Sequence, residues 1–494
     1  MSANIERIVV AGGGIVAWSV AAALRRHIPS QQVTVVSCPV PKDAIADRMI
    51  STLPSISGFH HDLGLAESDT ILGAQSGLRI GTIFEGWSAG LPPYVHAYGS
   101  YGVAVEGIPF HQLWIRARGE GEVEQFDRFC AGAELGRMGR IGSSAASTES
   151  APEIGYGLYL TPERYRGLMR DYARHLGATE QPCRRFEPKL RGEDGFVDAL
   201  ALDDGVVVAG DLFVDCTGPA ALIRSALDNR FEEWGGYLPC DRLIYTENQP
   251  DSDAPMLDRV VAGPAGWRWQ ASSPYRSSRG AVFSSAHANS EQLAREFADS
   301  LDGATMASIV AGRWSDPWLR NCVAIGDSAV AIEPLEWANL HLAHSQIDRL
   351  ISMMPGRDCA PVELAEYVRQ CNVEADRVRD FICMHYLTAR RDEPFWTSAA
   401  SIEPPSSLAH TLALFAERGR LPYYEEETFS RDSWAAVLLG QGFEPRSADP
   451  LADTLPLDRI RLELWRYADS LRAFVGAQPM YADYMSNLIK QSAR

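Results

Sequence analysis

The stretch Arg7-Ile-Val-Val-Ala-Gly-Gly-Gly-Ile-Val-Ala-Trp18 decides the fold. Arg7 to Ala11 is a short apolar run, three glycines follow, a helix-like stretch continues to Arg26, and a second apolar run spans Val33 to Val36. That order predicts a β-α-β opening. Within it Gly12, Gly14 and Ala17 keep the spacing G-x-G-x-x-G/A. The first glycine permits a tight turn, the second lets the backbone approach a pyrophosphate, and the small third residue lets helix and strand pack closely. An anion at the start of that helix meets free N–H groups and the favourable end of the dipole. These three residues are therefore candidate dinucleotide-binding positions. At the end of the second strand, where an acidic residue usually takes the ribose hydroxyls, this chain has Ser37.

Further along, Tyr165, Leu168, Met169, Tyr172 and Leu176 recur with helical spacing, and Pro162 suits the first turn of that helix. Residues 40 to 150 mix Gly, Pro, Ser and short aromatic runs, which predicts loops and short strands. Val206 to Val208 reads as part of a hairpin, and Asp211 to Gly218 as a buried strand ending at a glycine. Asn321 to Gly326 is a second buried strand; Gly326 and Asp327 offer a second glycine turn for the far end of a dinucleotide. A helix is expected from Pro334, which places Glu336 in its first turn, where the dipole favours a carboxylate. From about residue 340 the periodicity is mostly helical, with breaks at Glu403-Pro-Pro-Ser-Ser and Pro445-Arg-Ser-Ala-Asp-Pro. The expected organisation is an α/β nucleotide-binding domain over residues 1–350 with an inserted sheet and loops, then a helical lobe over 351–494.

With 494 residues, 46% hydrophobic and 22% charged, the chain has the composition of a large globular enzyme. A net charge of −18 with no long basic block argues against nucleic acid and anionic membranes as partners. Nine widely spaced cysteines without a CxxC pair predict reduced thiols and a cytoplasmic setting rather than a disulfide framework or structural zinc. Glu6 and the three glycines interrupt the apolar run that a signal peptide needs.

Several segments together resemble the flavin-dependent tryptophan halogenases: Gly12 to Trp18, Phe110-His-Gln-Leu-Trp114, Phe213-Val-Asp-Cys-Thr-Gly218, Gly326-Asp-Ser-Ala-Val-Ala-Ile-Glu-Pro-Leu-Glu336, Arg379-Asp-Phe-Ile-Cys-Met-His-Tyr386, Arg391-Asp-Glu-Pro-Phe-Trp396, and Ser433-Trp434 to Gly440-Gln-Gly442. Their order and spacing agree over most of the chain. The resemblance implies an FAD-binding Rossmann-like box domain, of the type shared by glutathione reductase and p-hydroxybenzoate hydroxylase, with a mostly helical C-terminal lobe. It also implies a small aromatic substrate, chloride or bromide, and reduced FAD from a separate flavin reductase. In such enzymes dioxygen and halide give a hypohalous acid that crosses a tunnel to the substrate. A homodimer is one arrangement compatible with it.

Carried over position by position, Leu78-Arg79-Ile80-Gly81 with Phe84 and Trp87 aligns with the segment holding the family's lysine, so Arg79 takes the place of a residue that positions or captures the oxidant. A guanidinium stays protonated, so a haloamine route is disfavoured while hydrogen bonding to an oxidant remains available. Glu336 falls on the family's glutamate, a candidate general base. Trp337-Ala338-Asn339 stands where the family has Ser-Thr-Gly; Gly266-Trp-Arg-Trp-Gln-Ala-Ser272 keeps Trp267 and Trp269 of a Trp-x-Trp-x-Ile-Pro flavin screen but has Ala271 and Ser272 at its end. Asp47 to Pro54 replaces a Gly-Val-Gly-Glu strap against the flavin.

Three readings follow: a halogenase using Arg79 and Glu336, a flavin monooxygenase or oxidase on the same scaffold without a halide site, and a non-catalytic flavin-binding relative. His341, His344 and Asp348 share a helical face with metal-compatible spacing, but the family holds no metal there and hydrogen-bonded histidines are the simpler reading. His111 and His385, in aromatic-rich runs, are read as structural.

Overall fold

The computed structural model describes residues 4–142, 152, 154–248, 255–288 and 304–492. Its contacts group into two compact units, each assembled from three stretches of chain: Met1–Ser76, Leu160–Leu243 and Thr305–Arg377 in one, and Gly77–Tyr159, Ile244–Ala304 and Val378–Arg494 in the other. The grouping is interleaved, because strands far apart in the chain pair directly.

In the first unit the strand Arg7–Ala11 lies at the centre of a sheet. Gln32–Ser37 and Leu212–Asp215 flank it in parallel, with Thr179–Pro182 and Cys322–Ala324 beyond them and Trp318–Leu319 as an antiparallel edge. Val10 sits opposite both Val35 and Val214. These near-continuous apolar runs suit strands covered on both faces. One cover is the helix Ile15–His27, buried from Ile15 to Leu24, which packs against the helices Pro162–His175 and Asn339–Ser352. The other is an antiparallel meander of Phe186–Leu190, Val197–Leu202 and Val207–Ala209. Phe186, Val197, Leu200 and Leu202 from the meander form one core with Val9, Ala11, Val36 and Phe213. Val9 and Ala11 alternate with Val10 and so reach that face together. Each such side chain contributes about 1.5–3 kcal/mol when fully buried.

In the second unit, Ser277–Phe283, Gly266–Ser272, Leu257–Gly263, Gly81–Glu85 and Tyr94–Ala97 lie side by side in that order. Leu257–Gly263 runs parallel to Gly81–Glu85, and the other pairs are antiparallel. Gly77–Arg79 forms a short separate ribbon with Gly157–Tyr159. The expected C-terminal helices are present as Ser406–Arg418, Arg431–Gly440, Leu457–Ala477 and Tyr481–Ser492. Residues 40 to 150 depart from the loop expectation: helices span Ser55–Leu63, Glu67–Gly73, Phe110–Arg118 and Ala131–Arg137. Runs of seven to nine residues are too short to display a clear 3.6-residue period beside so many glycines. Positions 143–150 lie outside the described residues.

Candidate functional site

The glycine turn is built by close backbone approach. Gly12 has φ +140°, and a Cβ added there would lie 2.4 Å from the Cys216 carbonyl oxygen. At Gly13 it would meet the Cys38 carbonyl oxygen at 2.3 Å. The turn thus threads between the ends of the two flanking strands, and only glycine fits. Gly14 caps the helix Ile15–His27, and Ala17 is fully buried against the turn, its Cβ 3.1 Å from where a Gly12 Cβ would be. Shape and dipole both fit the diphosphate of a flavin dinucleotide. The group standing at that point is the carboxylate of Asp47, which would lie 2.3 Å from a Gly14 Cβ and whose Oδ1 accepts from the Val16 N–H at 2.9 Å.

Gly326 (φ +66°) opens the second turn directly over the first helix: a Cβ there would lie 3.1 Å from Val16, and its N–H donates to Gln346 Oε1 at 2.7 Å. Asp327 is buried, and its Oδ2 accepts from the Ala46 N–H at 2.8 Å. Burial pushes its carboxyl up to about 8, with the Asp47 charge adding to the rise and the Ala46 N–H opposing it. The run after Phe213 is organised by Asp215. Its carboxylate accepts from the Thr217 hydroxyl at 2.7 Å and from the Ile223 and Arg224 N–H groups at 2.7 and 2.9 Å, which fixes the loop beside Gly12. Ser37 donates to Glu180 Oε1 at 2.9 Å. An acidic group therefore does stand at the end of the second strand, supplied by the neighbouring strand Thr179–Pro182. Pairing across 143 residues hid it from a sequence reading.

Glu336 is 2% exposed. The helix expected from Pro334 instead begins at Asn339, and Glu336 sits in the single turn Leu335–Trp337 with φ +66°, followed by Trp337 at φ +61°. Two consecutive left-handed non-glycine residues cost on the order of 1–2 kcal/mol each and persist only where the surroundings dictate them. Proline at the expected first position was a valid local signal, overridden by this conformation. Asn339 donates from Nδ2 to the Ile332 carbonyl at 2.9 Å, closing the turn from behind.

Arg79 lies in the second unit, at the end of the strand Gly77–Arg79, and is not a surface residue: it is fully buried. Its Nε donates to Asp258 Oδ2 at 2.5 Å, its Nη2 to Thr82 Oγ1 at 2.6 Å, and its guanidinium lies 5.2 Å from the Tyr98 ring centre. Asp258 is itself fully buried. Burial first, and the Asp258 carboxylate second, push the nearby Tyr159 phenol well above its ordinary value. An acid isolated in the apolar run Met256-Leu-Asp-Arg-Val-Val261 was the available clue to this partner.

Trp267 and Trp269 are buried on one face of their strand, with ring centres 5.8 Å apart; Trp267 Nε1 donates to the Tyr386 hydroxyl at 2.9 Å. Trp269 lies across Gly280, where a Cβ would come within 2.0 Å of its ring. His341, His344 and Asp348 have separate surroundings. His341 bridges Ser55 Oγ (2.7 Å) and Glu374 Oε1 (3.2 Å), while His344 stacks on Phe59 at 3.8 Å and is held well below its ordinary pKa by burial. Among the described residues no cluster of His, Cys, Asp or Glu is arranged to hold a metal. His111 contacts the Gly419 carbonyl at 3.0 Å, and His385 packs edge-on against Phe381. All nine cysteines are free thiols, and no helix among the described residues is long and apolar enough to cross a membrane.

Comparison with known proteins adds to this geometry. The family described as tryptophan halogenase matches residues 7–457. Among solved structures, BrvH, a flavin-dependent halogenase from Brevundimonas sp. BAL3, is 33% identical with a TM-score of 0.92, covering 98% of this chain and 99% of its own. Xcc4156, a flavin-dependent halogenase from Xanthomonas campestris, is 29% identical with a TM-score of 0.91, covering 98% of each. The tryptophan 7-halogenase RebH of Lentzea aerocolonigenes is 25% identical over 92% of this chain and 93% of RebH. These relatives are halogenases, which leaves the monooxygenase and non-catalytic readings without support from them. With its glycine turns, its parallel sheet and a match across residues 7–457, the chain belongs to the flavin-dependent tryptophan halogenase family.

Proposed function

We propose that this enzyme halogenates an indole-like aromatic ring, using chloride or bromide, dioxygen and FAD supplied in reduced form by a separate flavin reductase. The observation that carries the proposal is Glu336, buried in a strained left-handed turn at the family's glutamate position. That RebH is a tryptophan halogenase supports the indole-like substrate class. Bound reduced FAD supplies the electrons that turn dioxygen and halide into a hypohalous electrophile. Gly12, Gly14 and Ala17 would hold its diphosphate against the helix Ile15–His27, with Asp327 at the second turn and Ser37 beside Glu180 toward the ribose. Trp267 and Trp269, kept from the family's screen, are assigned to separating flavin chemistry from substrate.

At the substrate, a Glu336 carboxylate oxygen takes the proton from the ring carbon that has gained the halogen. A buried carboxylate serves this step well, because the cationic ring it faces is stabilised more strongly out of water. With an arginine at the family's lysine position, its guanidinium held by Asp258 and Thr82, the reading includes no covalent haloamine. Trp337-Ala338-Asn339 implies a halide site built differently from the family's Ser-Thr-Gly. Free thiols support a cytoplasmic setting.

The test is Glu336→Gln, supplied with a reductase, nicotinamide cofactor and bromide. Loss of a positioned base lowers turnover by about 10²–10⁴-fold, while flavin reoxidation continues at the wild-type rate. Wild-type turnover in the variant would remove Glu336 from the chemistry.

A further inference from the structure

Asp47 occupies the place at which the glycine turn is shaped to receive an anion. Its carboxylate lies 9% exposed at the start of the helix Ile15–His27, where it accepts the N–H of Val16 at 2.9 Å and interacts with that of Ile15. A diphosphate seated on the same turn needs those N–H groups. The carboxylate is held there by its segment. Asp327 accepts the Ala46 N–H at 2.8 Å, and Arg48 donates from Nε to the Pro41 carbonyl and from Nη2 to the Val40 carbonyl, both at 2.6 Å. The short helix Ile45–Arg48 is therefore tied on either side of Asp47. A chain without a negative side chain here would leave the turn open.

We propose that Asp47 is an internal anion competing with the cofactor's diphosphate for the glycine turn, so that flavin affinity is set by this side chain and increases on acidification. The proposal rests on the flavin reading above. Protonation weakens the competitor on two counts: a neutral carboxyl is a poorer acceptor for the helix N–H groups, and it no longer repels a diphosphate. Burial pushes the Asp47 carboxyl up to about 6, against the pull of the Val16 N–H and of the charges on Arg48 and on Arg166 from the helix Pro162–His175. The other titratable groups facing it are Asp327, with Asp43 behind it, and the Cys38 and Cys216 thiols at the ends of the flanking strands; burial raises both thiols, and the Asp47 charge raises them further. Both thiols stay neutral through the range that matters. Asp327 also lines the cradle and belongs to the cofactor site in the reading above, so its variant reports which carboxyl takes up the proton and not a basal affinity.

The experiment titrates FAD into the apoprotein by flavin fluorescence between about pH 5 and about pH 8. One proton taken up on binding makes the wild-type Kd weaken by about tenfold per pH unit above about pH 6. Asp47→Asn and Asp47→Gly bind FAD at least about tenfold more tightly than wild type near pH 8, with a flat profile; Asp327→Asn keeps the slope. Two variants are used so that a folding defect in one does not decide the matter, and thermal unfolding of each apoprotein checks that it is folded. A flat wild-type profile, unchanged affinity in both Asp47 variants, or a slope that vanishes only in Asp327→Asn overturns the proposal while leaving the flavin reading intact. If wild type and variants all fail to bind FAD at every pH, the flavin reading falls and this proposal with it.

Discussion

Replacing Arg79 by methionine keeps much of the side-chain volume but removes the cation that lies 2.5 Å from the Asp258 carboxylate. Both members of the pair are 0% exposed, so solvent cannot replace the lost partner. Unit charges about 4 Å apart attract by about 4 kcal/mol at an effective dielectric near 20. Breaking a buried pair from one side costs about 3–5 kcal/mol, because the remaining charge is stranded. Arg79→Met is therefore expected to lose about that much stability, and Asp258→Leu a comparable amount, whereas the double variant loses far less than their sum. Arg79→Lys retains a cation for Asp258 and falls between wild type and Arg79→Met. The assay is a double-mutant cycle on urea unfolding followed by fluorescence, read at the transition of the affected unit since a chain of two units need not unfold in one step. Additive effects, or an Arg79→Met midpoint equal to wild type, would refute the pairing and return Arg79 to a freely positioned group at the oxidant.

Other consequences are independent of that pair. Gly280→Ala drives a methyl into Trp269 and within 2.5 Å of the Ile244 carbonyl oxygen; it lowers the thermal midpoint by an amount matching about 1–3 kcal/mol, and Trp269→Phe in the same chain recovers part of the loss. Asp47 and Asp327 are both raised, to about 6 and about 8, so at these two sites the folded chain holds more protons than the unfolded one across this range. Apoprotein stability from these groups is therefore fully present below the unfolded carboxylate pKa near 4 and is lost as pH rises toward about 8. The buried histidines His60, His111 and His344 act in the opposite sense below about pH 6.5, so the test is differential scanning fluorimetry between about pH 6.5 and about pH 8: the wild-type midpoint falls and that of Asp327→Asn falls less, whereas equal falls in the two contradict the assignment.

The parts of this molecule readable from sequence were those whose signals are local. The glycine spacing after Arg7–Ala11, the proline-initiated helix Pro162–His175 and the C-terminal helices each declare themselves within one element. What escaped was set by partners distant in the chain. Asp47 looked like part of a lost strap until folding brought it to Val16, 31 residues away. Asp258 meets Arg79 across 179 residues; an acid within an apolar run hints at a buried partner but does not say which residue it is. Glu336 lies in a single left-handed turn and not in the expected helix, since the dihedral angles that hold it belong to its buried surroundings rather than to Pro334. Ser37 suggested a missing ribose ligand because the acid beside it arrives on another strand.

The most direct measurement of the central claim is mass spectrometry of products formed from a panel of indoles by the purified enzyme with flavin reductase, FAD, nicotinamide cofactor, dioxygen and bromide. The account predicts a product that carries the paired isotope pattern of one bromine, depends on bromide, and is lost in Glu336→Gln. Products that gain oxygen but never bromine, at any bromide concentration, would contradict it.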